Sequence, residues 1–210
     1  MSDPTTPKKP KLRGVMLFTL AYMGASIFAS IARGNGEFVF YIVVMLVLIG
    51  AVVWIHSRIN LSTGIIWGLA LWGFLHMAGG LVPLPPTWPY DGDQAVFYSW
   101  WIIPPGYLKY DQVVHAFGFG ITTWLCWHGL RAAIVGMGIS RPEVKPTLGL
   151  LTLSAAAGMG FGALNEVVEF AAVLLLPNTN VGGYINTGWD LVFNFAGCVM
   201  AALILRFTNK

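Results

Sequence analysis

Four of the nine acidic residues in this chain lie inside or at the ends of long apolar segments, where two histidines join them. An ionisable side chain in the hydrocarbon layer of a membrane is energetically costly, so such a residue usually marks a functional site. The residues concerned are Asp111, Glu166, Glu169, Asp190, His76 and His115, with the amide side chain of Asn194 nearby.

The spacing of these residues places them in pairs on single helix faces. Side chains three or four residues apart lie on the same side of an α-helix. Gly158 and Gly162 continue one such face toward Glu166, and small residues mark close helix contacts in membranes. The polar faces are therefore predicted to point into a bundle. The pairs are Asp111 with His115, Glu166 with Glu169, and Asp190 with Asn194.

Carboxylates that converge on imidazoles in a low-dielectric interior are typical of a metal site. A divalent cation removes the repulsion between the acids, and mixed histidine and carboxylate ligands on bundle helices suit zinc, iron or manganese. Two interpretations need no metal: a proton relay or ion path, and protonated acids that hydrogen-bond across helices as structural contacts. The predicted ligands are His76, Asp111, His115, Glu166, Glu169 and Asp190.

The composition is that of an integral membrane protein. Of the 210 residues, 56% are hydrophobic and only 10% are charged, whereas a soluble domain carries about 25% charge. The net charge of +3 does not indicate a nucleic-acid partner, because the basic residues cluster at helix ends; the expected partners are membrane lipids. Cys126 and Cys198 lie in apolar runs and are predicted to be buried thiols rather than a disulfide or a metal site.

Six apolar segments are each long enough to cross a hydrocarbon layer of roughly 30 Å. The predicted fold is an all-α, polytopic membrane protein with six transmembrane helices in one domain, residues 13–207, after a polar tail, residues 1–12, that should be disordered on the cytoplasmic side. The segments lie at about residues 14–33, 38–56, 62–82, 108–131, 147–176 and 187–206.

The basic residues predict the orientation of the helices. If the N-terminus is inside, only Arg33 and Lys109 of the twelve Lys and Arg residues fall on the outer side. Because cytoplasmic loops are enriched in Lys and Arg, both termini should be cytoplasmic. We expect a multi-pass protein of the bacterial inner membrane. The other ten are Lys8, Lys9, Lys11, Arg13, Arg58, Arg131, Arg141, Lys145, Arg206 and Lys210.

With this topology the acidic and histidine side chains fall in one layer of the membrane. At 1.5 Å per residue they all lie about 5–17 Å below the outer ends of their helices. Residues 83–107 form the longest outer connection and contain six prolines and seven Trp, Tyr or Phe residues. Since Trp and Tyr favour the membrane interface, this connection is predicted to be a lid over the bundle or, alternatively, a plain aromatic anchor.

Several short motifs resemble the YjdF-like family of bacterial inner-membrane proteins over roughly residues 60–205. The resemblance implies a fold and a polar site but no particular reaction. This chain has Phe170 where Trp is common in the family, and Asn186 where Asp is common, so one outer carboxylate is missing and a one-metal site is favoured over a two-metal site. The motifs are 75-LHMAGG-80, 110-YDQVVH-115 with Gly118, 166-EVVEF-170, and 187-TGWD-190 with Gly197.

The leading functional hypothesis is a metal-dependent hydrolase that acts on a membrane or headgroup substrate, with Glu166 or Glu169, whichever is not a ligand, as the general base. One alternative is a proton- or ion-coupled transporter, which needs polar groups that continue to the inner side. The other is a non-catalytic subunit or assembly factor of a membrane complex, in which the acids are structural. A homo-oligomer or a membrane-complex partner is also expected as a possible protein partner.

The predicted topology can be tested by cysteine labelling. In a background without the two native cysteines, a membrane-impermeant maleimide should label Gly92→Cys from the outer side and Glu143→Cys only after the membrane is opened, because the ten-to-two division of basic residues places residue 143 inside. Labelling of Gly92→Cys from the cytoplasmic side alone would contradict this orientation.

Overall fold

The computed structural model describes residues 12–104 and 106–208, and it contains six long helices. All six predicted helices are confirmed, with ends that differ by at most a few residues. The predicted tail, except Leu12, lies outside the described residues, as do Lys8, Lys9, Lys11 and Lys210. The helices are α1 (Arg13–Ala32), α2 (Gly36–Ile59), α3 (Thr63–Leu81), α4 (Tyr110–Gly136), α5 (Leu148–Leu175) and α6 (Tyr184–Thr208).

Polar caps fix where three of the helices begin. The side chains of Asn35, Ser62 and Thr147 accept hydrogen bonds from backbone N–H groups in the first turns of α2, α3 and α5. Such caps satisfy donors that have no partner within the helix. Asn60 ends α2 in the left-handed conformation, with φ of 49°, which asparagine tolerates better than most residues.

Five of the six helices are long and apolar enough to cross a membrane, and α4 is the exception in the described chain. Its polar residues include Gln112, His115 and Thr123, all of them buried. Helix α4 packs against α3, α5 and α6, so its polar side chains face other helices rather than lipid. Mean hydropathy underestimates the ability of a helix to cross the membrane when its polar side chains are buried between other helices. Six spans with both termini inside remain a prediction.

Several polar side chains are buried within the otherwise apolar interior of the bundle, and the outer faces are apolar. Asn194 and Thr123 are 0% exposed, whereas Leu17 and Val47 on the outer faces of α1 and α2 are 68% and 67% exposed. Helix α6 lies so close to α4 that a Cβ atom added at Gly197 would be 1.9 Å from the carbonyl oxygen of Ala116. The prediction that small residues continue the inward polar faces is confirmed at this contact.

The connection between α3 and α4 folds across the ends of these two helices. It contains a short 3₁₀ helix, Phe97–Ser99, and the antiparallel strands β1 (Trp101–Ile103) and β2 (Leu108–Lys109). The ring of Trp88 packs against Trp100 with centroids 4.4 Å apart. Residue 105 lies outside the described residues. We refer to residues 82–109 as the α3–α4 segment.

Candidate metal centre

Three helices each deliver one polar face to the same point in the bundle. Helix α4 contributes two side chains from its first two turns, α5 two from its C-terminal half, and α6 two from its N-terminal half. The convergence that the spacing predicts is confirmed for these six residues, whereas metal binding by them stays a prediction. The residues are Asp111 and His115, Glu166 and Glu169, and Asp190 and Asn194.

The imidazole of His115 lies at the middle of this cluster. Its Nε2 atom is 3.5 Å from Oδ1 of Asp111 and 4.0 Å from Oδ1 of Asp190. Its Nδ1 atom is 3.0 Å from Oδ1 of Asn194 and 3.9 Å from Oε1 of Glu166. The ring is 5% exposed, so these contacts are formed away from water.

Two overlapping groups of side chains have the composition of a cation site, and both include His115. In Asp111–His115–Asp190 and in His115–Glu166–Glu169, one ligand atom per residue lies within 4.8 Å of the others. Ligands 2.0–2.1 Å from a tetrahedral zinc ion are about 3.3 Å apart. Small side-chain movements would therefore bring either group around an ion.

The hydrogen bond to Asn194 favours the first of these groups. When Nδ1–H of His115 donates to Oδ1 of Asn194, the lone pair of Nε2 faces Asp111 and Asp190. Metal-binding histidines usually donate their other N–H to an oxygen in this way, which fixes the tautomer and the ring orientation. The second group would use the nitrogen that is already engaged.

Several carboxylate oxygens of the centre are buried without a hydrogen-bond partner. They are Oδ1 of Asp190 and both carboxylate oxygens of Glu166. Asp190 is 1% exposed. Buried polar atoms are nearly always paired, and within the described chain His115 is the only basic residue within ion-pair distance of these acids. Buried carboxylate oxygens of this kind are suitable ligands for a cation.

Two of the carboxylates each accept a hydrogen bond from an amide side chain on the same helix. Asn186 donates to Oδ2 of Asp190 at 2.7 Å, which leaves Oδ1 of Asp190 directed at His115. Asn165 donates to Oε1 of Glu169 at 2.9 Å. Each amide lies one turn before its acid on the same helix, so the contacts orient the acids without linking the helices.

His76, a predicted ligand, lies beside the centre but in neither of the two groups. Its Nδ1 atom is 2.5 Å from the hydroxyl oxygen of Tyr98 in the α3–α4 segment. Burial raises the pKa of Tyr98 well above its usual range, so the phenol stays protonated and donates to the imidazole. One nitrogen of His76 is thus engaged by Tyr98, while the ring lines the inner cavity together with Asp111 and Glu169.

Two residues near the centre were not predicted. The carboxylate of Glu37, at the start of α2, is 6% exposed and accepts a hydrogen bond from the backbone N–H of Asn180 at 2.9 Å. Its position at the outer end of the second apolar segment could have revealed it as a fifth acid at this depth. Tyr98 could not be distinguished from the other aromatic residues around it.

Two cavities lie next to the centre. The inner cavity, of about 40 Å³, is lined by Glu37, His76, Asp111 and Glu169 among others. The outer cavity, of about 330 Å³, lies between the α3–α4 segment and the start of α6. Asp111 and Tyr98 line both cavities. The buried acids therefore lie next to a space that a small molecule could enter.

The chain belongs to the DUF2238 family of predicted membrane proteins, whose model matches residues 14–210. Family membership and the apolar helices together identify an integral membrane protein. No curated protein and no solved structure matches the chain. The narrower YjdF-like resemblance is consistent with this family but remains a prediction, as does the bacterial inner membrane.

The contact between Tyr98 and His76 should contribute to stability. Tyr98→Phe removes the donor and leaves a buried imidazole nitrogen unpaired, which costs about 1–3 kcal/mol. Thermal unfolding in detergent should show a lower midpoint for this variant. Tyr90→Phe, at a tyrosine that is 48% exposed, is the matched control and should be neutral. Equal midpoints for the two variants would contradict the account of this contact.

Proposed function

We propose that this protein crosses the bacterial inner membrane six times, binds one divalent cation at the His115 centre and acts as a metal-dependent hydrolase on a membrane or headgroup substrate. The observation that carries the proposal is the unpaired Oδ1 of Asp190, buried and 4.0 Å from Nε2 of His115. A buried carboxylate in that position is stabilised by a positive partner, which a divalent cation beside Nε2 would supply.

The residues that would hold the cation are Asp111, His115 and Asp190. Their donor set, one imidazole and two carboxylates, suits zinc, iron or manganese. Catalytic zinc sites commonly have three protein ligands and a further position for water or substrate. Asp111 also lines the outer cavity, so an open position on that side would be reached from it.

A divalent cation at these residues supplies two effects, a lowered pKa of a bound water and polarisation of an ester oxygen. Glu166 is then the best candidate for the general base. Both of its carboxylate oxygens lack a partner, so Oε1 or Oε2 can accept the proton of the attacking water. Glu169 is less suited, because Asn165 already donates to its Oε1 atom. Glu169 would instead contribute negative charge beside the cation.

The transporter hypothesis finds little support on the opposite side of the centre. There the buried hydroxyls of Thr122, Thr123 and Ser154 donate to carbonyl oxygens four residues earlier in their own helices. Hydroxyls engaged in this way do not form a continuous chain between helices. A path for protons or ions would have to cross this layer.

Three of the four acids lack the contacts that a purely structural role predicts. Acids that hold helices together should hydrogen-bond to groups on other helices. Asp190 and Glu169 instead accept from amides on their own helices, and Glu166 has no hydrogen-bond partner. Membrane-complex or homo-oligomer partners remain compatible with the proposed enzyme, because the exposed apolar faces can pack against protein as well as lipid.

The metal proposal predicts about one divalent ion per chain in protein purified without chelators. Asp190→Asn keeps the shape of the side chain but removes a negative ligand in a low-dielectric site, so the ion should be lost while the fold persists. Elemental analysis, with gel filtration to confirm folding, provides the measurement. Asp93→Asn changes an exposed aspartate and is the control. Metal contents near zero in the unaltered protein, or unchanged in Asp190→Asn, would contradict the proposal.

The role of Glu166 can be separated from that of the ligands. Glu166→Gln should retain the ion but slow hydrolysis by about 10²–10⁴-fold, the usual contribution of a general base. Release of p-nitrophenol from p-nitrophenyl acetate and p-nitrophenyl phosphate in detergent micelles is a suitable measurement. If the metal-loaded protein cleaves neither compound above background, the hydrolase assignment is wrong even when the ion is present.

A further inference from the structure

The outer cavity lies next to the centre and has a largely polar lining. Its volume of about 330 Å³ is much larger than a single water molecule needs. A phosphate group with a small alcohol would fit in this space. Ile185 and Trp189 line the same cavity and are 71% and 51% exposed, so one side of it borders the apolar outer surface.

Lys109 is the one cationic side chain in the lining of this cavity. Its ammonium group is 2.9 Å from Oδ2 of Asp91 and 4.9 Å from the centroid of the Trp101 ring. The Lys109 side chain is 15% exposed, whereas that of Asp91 is 57% exposed. A mostly buried cation is thus held on an aromatic face and neutralised by a carboxylate that could return to water at little cost.

Other donors surround Lys109. Oε1 of Gln112 accepts the backbone N–H of Lys109 at 2.9 Å, so the amide nitrogen of Gln112 remains free to donate. Helix α6 begins at the cavity, and Ile185 and Asn186 in its first turn are part of the lining. First-turn N–H groups have no acceptor within their helix and carry partial positive charge. No acidic residue occupies this turn.

The two acidic residues in the lining do not outweigh the preference of these donors for an anion. Asp111 has its ion-pair contact with His115, where Oδ1 lies 3.5 Å from Nε2, whereas Lys109 pairs with Asp91. Asp91 is the exposed partner of Lys109 and occupies the place that an external anion would take. The remaining polar lining is rich in donors, which are the groups that recognise phosphate oxygens.

We propose that the outer cavity binds the phosphate group of a phosphate ester, with Lys109 as the recognition residue that exchanges Asp91 for the ligand. The inference rests on the proposed function for the reaction and names the substrate class of the same site. The phosphate could belong to a lipid head group, with its acyl chains along Ile185 and Trp189, or to a small soluble ester. Binding at Lys109 itself does not require that the cation be present.

The test uses the full chain in detergent, both metal-loaded and metal-stripped. Phenyl phosphate is titrated by calorimetry, and phosphatidic acid by native mass spectrometry with phosphatidylcholine as the reference lipid. Lys109→Gln should weaken binding of at least one phosphate probe by about tenfold or more, the contribution of a charge-assisted hydrogen bond. Lys109→Arg should restore most of the affinity. Asp91→Asn should tighten binding, because the competing carboxylate is removed.

Lys145→Gln, at an exposed lysine outside the cavity, is the matched control and should bind like the unaltered protein. If phenyl phosphate binds, a soluble phosphate ester is sufficient as the ligand. If only phosphatidic acid binds, the ligand is a lipid head group. Both outcomes support the inference. It is overturned if neither probe binds, if phosphatidylcholine binds as well as phosphatidic acid, or if Lys109→Gln binds normally. Phosphate binding without copurified metal would preserve this inference and refute the proposed function, and metal without phosphate binding would do the reverse.

Discussion

The arrangement of the bundle depends on how one imidazole is held among four carboxylates in an apolar interior. His115 contacts Asp111, Glu166 and Asp190 from a single position on α4. To bring these side chains together, α4, α5 and α6 must pack against one another, and the polar residues of α4 must face inward. The close approach of α4 and α6 at Gly197 makes that placement possible. A cation would reduce the repulsion between these clustered carboxylates.

Polar groups around this cluster each bind one atom of a neighbouring side chain and so fix its orientation. Asn194 engages one nitrogen of His115, and Asn186 engages one oxygen of Asp190, so the remaining atoms of both residues face each other. Tyr98 engages His76 in the same manner and links the α3–α4 segment to the bundle. The outer cavity lies where this segment meets the first turns of α4 and α6. The centre and its access route are therefore built from the same few elements.

The shared helix faces of the centre could be predicted from the sequence because helical periodicity is a local property. The i,i+4 spacing of Asp111 and His115 fixed a shared face without any tertiary information. His76 lies at the same depth, but its orientation depends on Tyr98, which is 22 residues away in an irregular segment. The contact of Glu37 with Asn180 joins residues 143 positions apart. Pairings of this kind arise from packing, and no periodic pattern predicts them.

X-ray absorption spectroscopy of zinc-loaded protein tests the central claim most directly, because it identifies the ligand atoms around the ion. The account predicts one imidazole nitrogen and at least two carboxylate oxygens at about 2.0–2.2 Å, and loss of the imidazole contribution in His115→Gln. A spectrum with oxygen ligands alone, or one that His115→Gln leaves unchanged, would show that the buried imidazole and its carboxylates do not bind the metal.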